Sequence, residues 1–426
     1  MSLNREEVLT RLNAPNRLEC LAELMSTEPH PACGQDVNNH IHTIYSFSPY
    51  SPTAAVWFAR QAGLCTCGLM DHDSISGAEE FLKAAQIAGI AATIGVECRV
   101  SFANTPFAGR HLNNQDQASL AYIALHGIPH NRVDEVSAFF APRREMRNHR
   151  NREMVLALNN LMRSFDITID FDRDVLPLSE AERGGSVTER HIACALAVRM
   201  METIGTGKPL VDFIKNVMKQ QISARTEAYL LDEGNPFLKF DLIAWIKSTL
   251  LSQFYIDAEE TECPDVRDVL ALSERIGAVS AYAYLGDVMN ISTADKRNQR
   301  FEDEYLDELV PYLRELGFRA VTYMPFRNTR AQLERIRSLC EKHGLFQISG
   351  EDINSPRQPF VCEAQRDPAF RNLYDAAWAL IAHERRATAD PENGLFSDRS
   401  VRQWPNLHER ITAFSAFGQE LFAKDG

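Results

Sequence analysis

The fold is decided between Asn38 and Glu97, NNHIHTIYSFSPYSPTAAVWFARQAGLCTCGLMDHDSISGAEEFLKAAQIAGIAATIGVE. Asp36 to His42 reads as a strand that ends in polar residues. Ser51-Pro52 opens a helix, with Ser as N-cap and Pro in the first turn. That helix runs through AAVWFARQA and stops at Gly63. Leu64 to Met70 is a second strand. Ser76-Gly77 starts a second helix, AEEFLKAAQIA, which Gly89 ends. Ile90 to Val96 is a third strand. A β-α-β-α-β order of this kind implies a parallel sheet or a barrel.

Outward from this stretch, Ser119 to His126 adds a fourth strand. Residues 127 to 276 change character, with long helical patterns at 144–163, 188–202, 206–221 and 236–254 and a loop around Arg183-Gly184-Gly185-Ser186. The β/α rhythm then returns. Strands are expected at Ala278–Tyr284, Phe318–Tyr323 and Leu345–Ser349, with helices at Phe301–Leu316 and Thr329–His343. The reading is one α/β barrel split by a helical insertion. Its segments are an N-terminal helical stretch 1–33, barrel parts 34–126 and 277–362, the insertion 127–276, and C-terminal helices over 363–426.

Composition bounds the function. In 426 residues, 45 Lys and Arg stand against 58 Asp and Glu, a net charge of −13. That balance argues against a nucleic-acid polymer as partner, which would call for a basic face. No run of about 18 apolar residues exists, so no membrane span is expected. Nine scattered cysteines fit reduced thiols and a cytoplasmic location. Cys65 and Cys67 share one face of a strand and read as core thiols.

Polar clusters follow the predicted strands: His40-Ile41-His42, Asp71-His72-Asp73, Gly95-Val96-Glu97, Leu125-His126-Gly127, and Gly350-Glu351-Asp352-Ile353-Asn354. In α/β barrels the C-terminal strand ends carry the active site. Imidazole and carboxylate suit borderline divalent ions such as Zn, Mn and Fe. Strand alternation lets His40 and His42 reach one ion. Glu97 follows an apolar run, where a charge without a partner is costly. Together the clusters point to a metal site.

These residues resemble the opening of the polymerase and histidinol phosphatase (PHP) superfamily, whose members typically begin DLHxHTxxSDGxxSP and continue with TDHD and a G[VI]E at the third strand. VTERHIACAL resembles the family's GRPHIAxALV segment. GFRAVTYMP and HGLFQISGEDIN resemble its last two barrel strands, which usually end in GSDxH. The resemblance implies a distorted (β/α)7 TIM-like barrel and a metal-dependent phosphoesterase. It implies that His40, His42, Glu97 and Asp352 complete one metal position, that His126 belongs to a second, and that His72 belongs to a third.

The departures reduce that set. Phe47 stands where the SDG aspartate is usual, Asn354 replaces the closing His, and Ala283-Tyr284-Leu285-Gly286-Asp287 holds no histidine. One or two divalent ions (Zn, Mn or Fe) are therefore expected, with Asp287 or Tyr284 as partial replacements. His72 is then free for acid–base work, with Asp71 beside it orienting a ligand. The family segment places His191 at the substrate. Arg190, Arg327 and Asn354 are further candidate substrate contacts, as is Arg357, since Arg binds phosphate as a fork. The expected reaction is hydrolysis of a phosphate ester of a small metabolite or nucleotide by water activated on the ion. Two other readings stay open: hydrolysis of a C–N or lactone bond, and a binding protein with an eroded site. Oligomeric state is not readable.

Overall fold

Short apolar strands with turn signals between them build one seven-stranded sheet in which each strand pairs with the next in chain order. The computed structural model describes residues 3–114, 116–287 and 300–425. Two helices, α1 (Arg5–Leu12) and α2 (Arg17–Thr27), precede β1 (Val37–Ile41). Then come α3 (Pro52–Gln61), β2 (Thr66–His72), α4 (Ala78–Ala88), β3 (Ala91–Ser101) and β4 (Leu120–His126). The local chemistry is as expected: Ser51 caps α3 by accepting from the Ala54 N–H, and Gly89 ends α4 at φ +62°.

The helical region follows, with α5 (Val133–Met162), α6 (Glu189–Ile204), α7 (Lys208–Asp212), α8 (Ala224–Leu231), α9 (Leu238–Thr249), α10 (Leu251–Phe254) and α11 (Val266–Ile276). The barrel resumes with β5 (Val279–Ala283), α12 (Leu306–Leu316), β6 (Ala320–Tyr323), α13 (Arg330–His343) and β7 (Phe346–Ser349). Three helices end the chain: α14 (Arg371–Ala389), α15 (Asp398–Gln403) and α16 (Leu407–Asp425). Gly317 and Gly344 close α12 and α13 in the left-handed region.

Two asparagines of the opening strand nearly close the barrel. Asn39 donates to the Ser349 carbonyl and Asn38 to the Glu351 carbonyl. Beyond β7, the Ile353 N–H bonds the His40 carbonyl, and the His42 N–H bonds the Ile353 carbonyl. Outward-facing Cys67, Leu69, Ile94, Val96, Ile123, Tyr282 and Val321 join the core under the surrounding helices. Inside, two positions must be glycine. A Cβ at Gly68 would lie 2.7 Å from the Asn39 Cα, and one at Gly95 2.6 Å from the Leu125 carbonyl.

Three features differ from the sequence reading. The strand β4 runs antiparallel to both β3 and β5, so the sheet is mixed. Helix α5 begins at Val133, eleven residues early, and carries Pro142 in its interior, a residue that reads as a breaker. The pattern at 206–221 is a five-residue α7 followed by a π-helical turn at Phe213–Val217. The bottom of the barrel is plugged by α14, where Ala376, Ala379 and Leu380 pack on Val279, Ala281, Ala320, Phe346 and Ile348. A second core gathers residues from Met154 to Phe254, whereas Val266, Val269, Leu272 and Ile276 of α11 pack in the barrel core. Among the described residues no helix is long and apolar enough to cross a membrane.

Candidate metal centre

His40 and His42 lie on either side of Ile41 at the end of β1, so their rings turn to one side. Their Nε2 atoms are 3.2 Å apart. Glu97 Oε2, from β3, lies 3.6 Å from His40 Nε2 and 3.7 Å from His42 Nε2. Asp352 Oδ1, from the segment after β7, is 3.1 Å from His42 Nε2. His72, the last residue of β2, brings Nδ1 to 3.0 Å from Glu97 Oε2. Two overlapping donor groups result, His40–His42–Asp352 and His42–His72–Glu97.

The donor set fits a divalent cation. Ligand atoms held tetrahedrally at about 2.0–2.1 Å from an ion stand about 3.3 Å from one another, near the separations seen here. The electrostatics agree. Burial alone would raise the carboxyl of Glu97, but His40 and His72 hold it far below the usual carboxylate range. Asp352 is also held down, against burial, by His42, His40 and Arg190. Burial, with His72 and His40 nearby, carries His42 below the ordinary imidazole value despite Asp352, which favours the neutral ligating form. At His40 burial is outweighed by Glu97 and, behind it, Asp352 and Asp71, and its pKa rises.

His126 sits deeper in the barrel than Glu97, and strand direction is the reason. It does end β4, but β4 is reversed, so His126 pairs with Gly95, two residues deeper than Glu97. The expectation that its strand end faces the same rim as the other clusters is therefore corrected. His126 belongs to neither donor group, yet it lies within electrostatic reach of His40 and Glu97, directly beneath the cluster. Among the described residues neither nitrogen of its buried ring has a partner, and burial pushes its pKa down to about 3.

Asp71 is wholly buried behind His42. It accepts from the Thr43 N–H at 2.7 Å, the Thr43 hydroxyl at 2.6 Å and the Ser46 hydroxyl at 2.5 Å. His191 is buried in the first turn of α6, where its Nδ1 accepts the Thr188 N–H at 2.9 Å, and burial lowers its pKa to about 3. Phe47 packs edge-on against that ring at 5.0 Å and joins the core of the helical region. Phe47, where the resemblance would put an aspartate, thus packs into the helical region.

Arg190, half-buried, acts on Asp352 electrostatically. Arg327 donates from Nε to the Leu285 carbonyl, while its buried Nη1 and Nη2 have no partner among the described residues. Burial brings its pKa down to about 10, against the pull of Glu302 and Asp352. Asn354 donates to Asp352 Oδ1 at 2.6 Å and so fixes that carboxylate. Arg357 is committed to the insertion: it pairs with Asp241 at 2.7 Å and lies 3.9 Å over the Tyr229 ring. Tyr284 donates to Asp303, and Asp287 accepts the Phe301 N–H, so both have other partners.

Sequence reasoning missed a buried charge network beside the cluster. Glu262 accepts from Arg99, Arg147 and Arg150, Arg150 also binds Glu189, and Arg147 pairs with Asp73 at 2.6 Å. Asp73 follows His72 directly and sits at φ +47°. The spacing of Arg143, Arg147 and Arg150 along one helix face was the available signal. Thr43 and Ser46, inside the opening motif, were also passed over.

Residues 38–207 match the family model of the PHP domain. No curated protein sequence matches the chain. Among solved structures, a candidate metal-dependent phosphoesterase of Bifidobacterium adolescentis aligns at 21% identity and TM-score 0.50, covering 78% of this chain and 91% of its own. An amidohydrolase of Chromobacterium violaceum, with bound sulfate and no metal, aligns at 17% identity and TM-score 0.49, covering 76% and 89%.

Proposed function

We propose, from the match of residues 38–207 to the PHP domain, that the protein is a divalent-metal-dependent hydrolase acting on a phosphate ester of a small metabolite or nucleotide. One observation carries the reading: imidazoles and carboxylates from β1, β2, β3 and the segment after β7 form two overlapping three-residue donor groups that share His42, each able to hold an ion. His40, His42, Glu97 and Asp352 would hold it, with Zn, Mn or Fe compatible with the donors. Both donor groups need His42 Nε2, because His42 Nδ1 is engaged by Ser46. Only one ion at a time can therefore use His42. A second could use at most what the first leaves, such as His72 with a shared Glu97.

When bound, such an ion polarises a phosphoryl oxygen and lowers the pKa of water toward about 7. The chain's own groups do the rest. His72, a quarter exposed and beside Glu97, is placed to hold or move a proton at the open side of the cluster. Arg190 and Arg327, both within electrostatic reach of Asp352, supply positive charge for an anionic ester. Asn354 holds Asp352 in its ligating orientation. Asp71 acts from behind, through the loop Thr43–Ser46. Those two cationic side chains favour a phosphate ester over a C–N or lactone bond.

Two measurements test this. Elemental analysis of protein purified without chelators is expected to find close to one equivalent of a transition metal. A panel of phosphomonoesters and nucleotides, set against amides and lactones with Mn or Zn supplied, is expected to show turnover of the phosphate esters. Metal content near zero, even after incubation with these ions, would overturn the hydrolase reading. Turnover of amides or lactones alone would overturn the phosphate assignment.

A further inference from the structure

We propose that Ser46 is a positioning residue of the metal centre: its hydroxyl links Asp71 to His42 and fixes the tautomer in which Nε2 of His42 is the free nitrogen. The inference rests on the metal-site reading above and deepens it. The argument is an inventory of protons. Asp71 is fully buried and surrounded by donors, taking the Thr43 N–H and Ser46 O–H on Oδ1 and the Thr43 O–H on Oδ2. A serine hydroxyl has one proton. With that proton given to Asp71, Ser46 Oγ can only accept from His42 Nδ1, 3.1 Å away. Nδ1 therefore carries the imidazole proton, and the lone pair sits on Nε2.

That choice gives up a hydrogen bond to a carboxylate. His42 Nε2 faces Asp352 Oδ1 at 3.1 Å, and an N–H there would make a good hydrogen bond. It also faces His40 Nε2 at 3.2 Å and Glu97 Oε2 at 3.7 Å. Ser46 instead turns a lone pair toward two carboxylate oxygens, an arrangement that is favourable with a cation among them or with a proton donated from His40 Nε2. Ser46 is itself wholly buried, so its hydroxyl has no role toward solvent. Thr43, bonded to the same carboxylate, keeps the loop in place when the Ser46 hydroxyl is removed.

The test needs no turnover. In metal-free wild-type protein at pH 8, selective ¹⁵N-histidine NMR is expected to show His42 as the Nδ1–H tautomer, its signals identified by their loss in His42→Gln. Ser46→Ala is expected to shift that ring toward Nε2–H and to weaken Zn²⁺ binding, measured by competition with a chromophoric chelator, by about 10- to 100-fold. An Nε2–H ring in wild type would overturn the proposal without any variant. A Ser46→Ala protein whose Zn²⁺ affinity stays within about twofold of wild type would overturn it too. Failure of wild type to bind Zn²⁺ would instead sink the metal reading, and the tautomer spectrum would still decide the role of Ser46.

Discussion

His42 is the residue on which the centre turns, because both donor groups share it. His42→Ala is expected to lower the metal-to-protein ratio at least tenfold, measured by elemental analysis after dialysis. Equal content in variant and wild type would contradict the site. His191 behaves differently. Its Nδ1 caps the first turn of α6, and it belongs to neither donor group. His191→Ala should leave metal content unchanged and cost about 1 kcal/mol or more through the lost cap, read as a lower urea midpoint. Residues named from the opening motif were legible because strand alternation alone turns His40 and His42 the same way. Ser46 and Thr43 were not, since nothing in their identity tells which carboxylate they meet.

Strand direction is the point at which the sequence misled. Residues 102–119, between β3 and β4, hold no helical pattern, and a parallel crossover requires a dozen or more residues that usually form a helix. That gap was the available signal that β4 turns back and carries His126 to the deeper level of Gly95. The role of α14 was illegible for another reason: an amphipathic pattern shows which face is apolar but not which surface it covers. At the closed end, buried Glu384 on α14 accepts from the Thr93 hydroxyl, the Ile94 N–H and His130 Nε2. Burial disfavours charge on His130, but Glu384 outweighs it and raises its pKa. A raised folded-state pKa stabilises fully below the unfolded value, about 6.5, and the gain is lost as pH rises through the folded value. The Tm difference between wild type and His130→Gln should therefore be largest near pH 6 and shrink toward pH 9 in calorimetric scans. Beside this, Gly127 sits at φ +61°, and a Cβ there would lie 2.7 Å from the His383 ring. Gly127→Ala is expected to cost about 1–3 kcal/mol, from left-handed strain and the clash together.

Across the whole molecule, an acidic chain of net charge −13 concentrates three arginines in one buried place, and that concentration binds the helical region to the barrel. Arg99 comes from β3, Arg147 and Arg150 from α5, and Glu262 from the segment before α11. All four are nearly inaccessible. The arginines hold Glu262 below its ordinary range although burial opposes them, and Glu189, also paired with Arg150, is held down in the same way. Such a network is worth little compared with a well-packed apolar interior, but breaking it is costly, because each arginine left behind is a buried charge short of a partner. Glu262→Ala should thus destabilise by about 3–5 kcal/mol. Removing the carboxylate of Glu23, which meets Arg11 at the surface, should cost about 0–1 kcal/mol. Urea unfolding of the two variants side by side measures the contrast. Depressed carboxylate values make the same stabilisation present above the unfolded pKa, about 4.3 for Glu, and lost as pH falls through the folded values. The gap between Glu262→Ala and wild type should therefore be widest at neutral pH and close in strong acid. A gap that stays constant with pH, or a Glu262→Ala no worse than the surface variant, would mean that apolar packing through Phe47 and its neighbours holds the insertion instead.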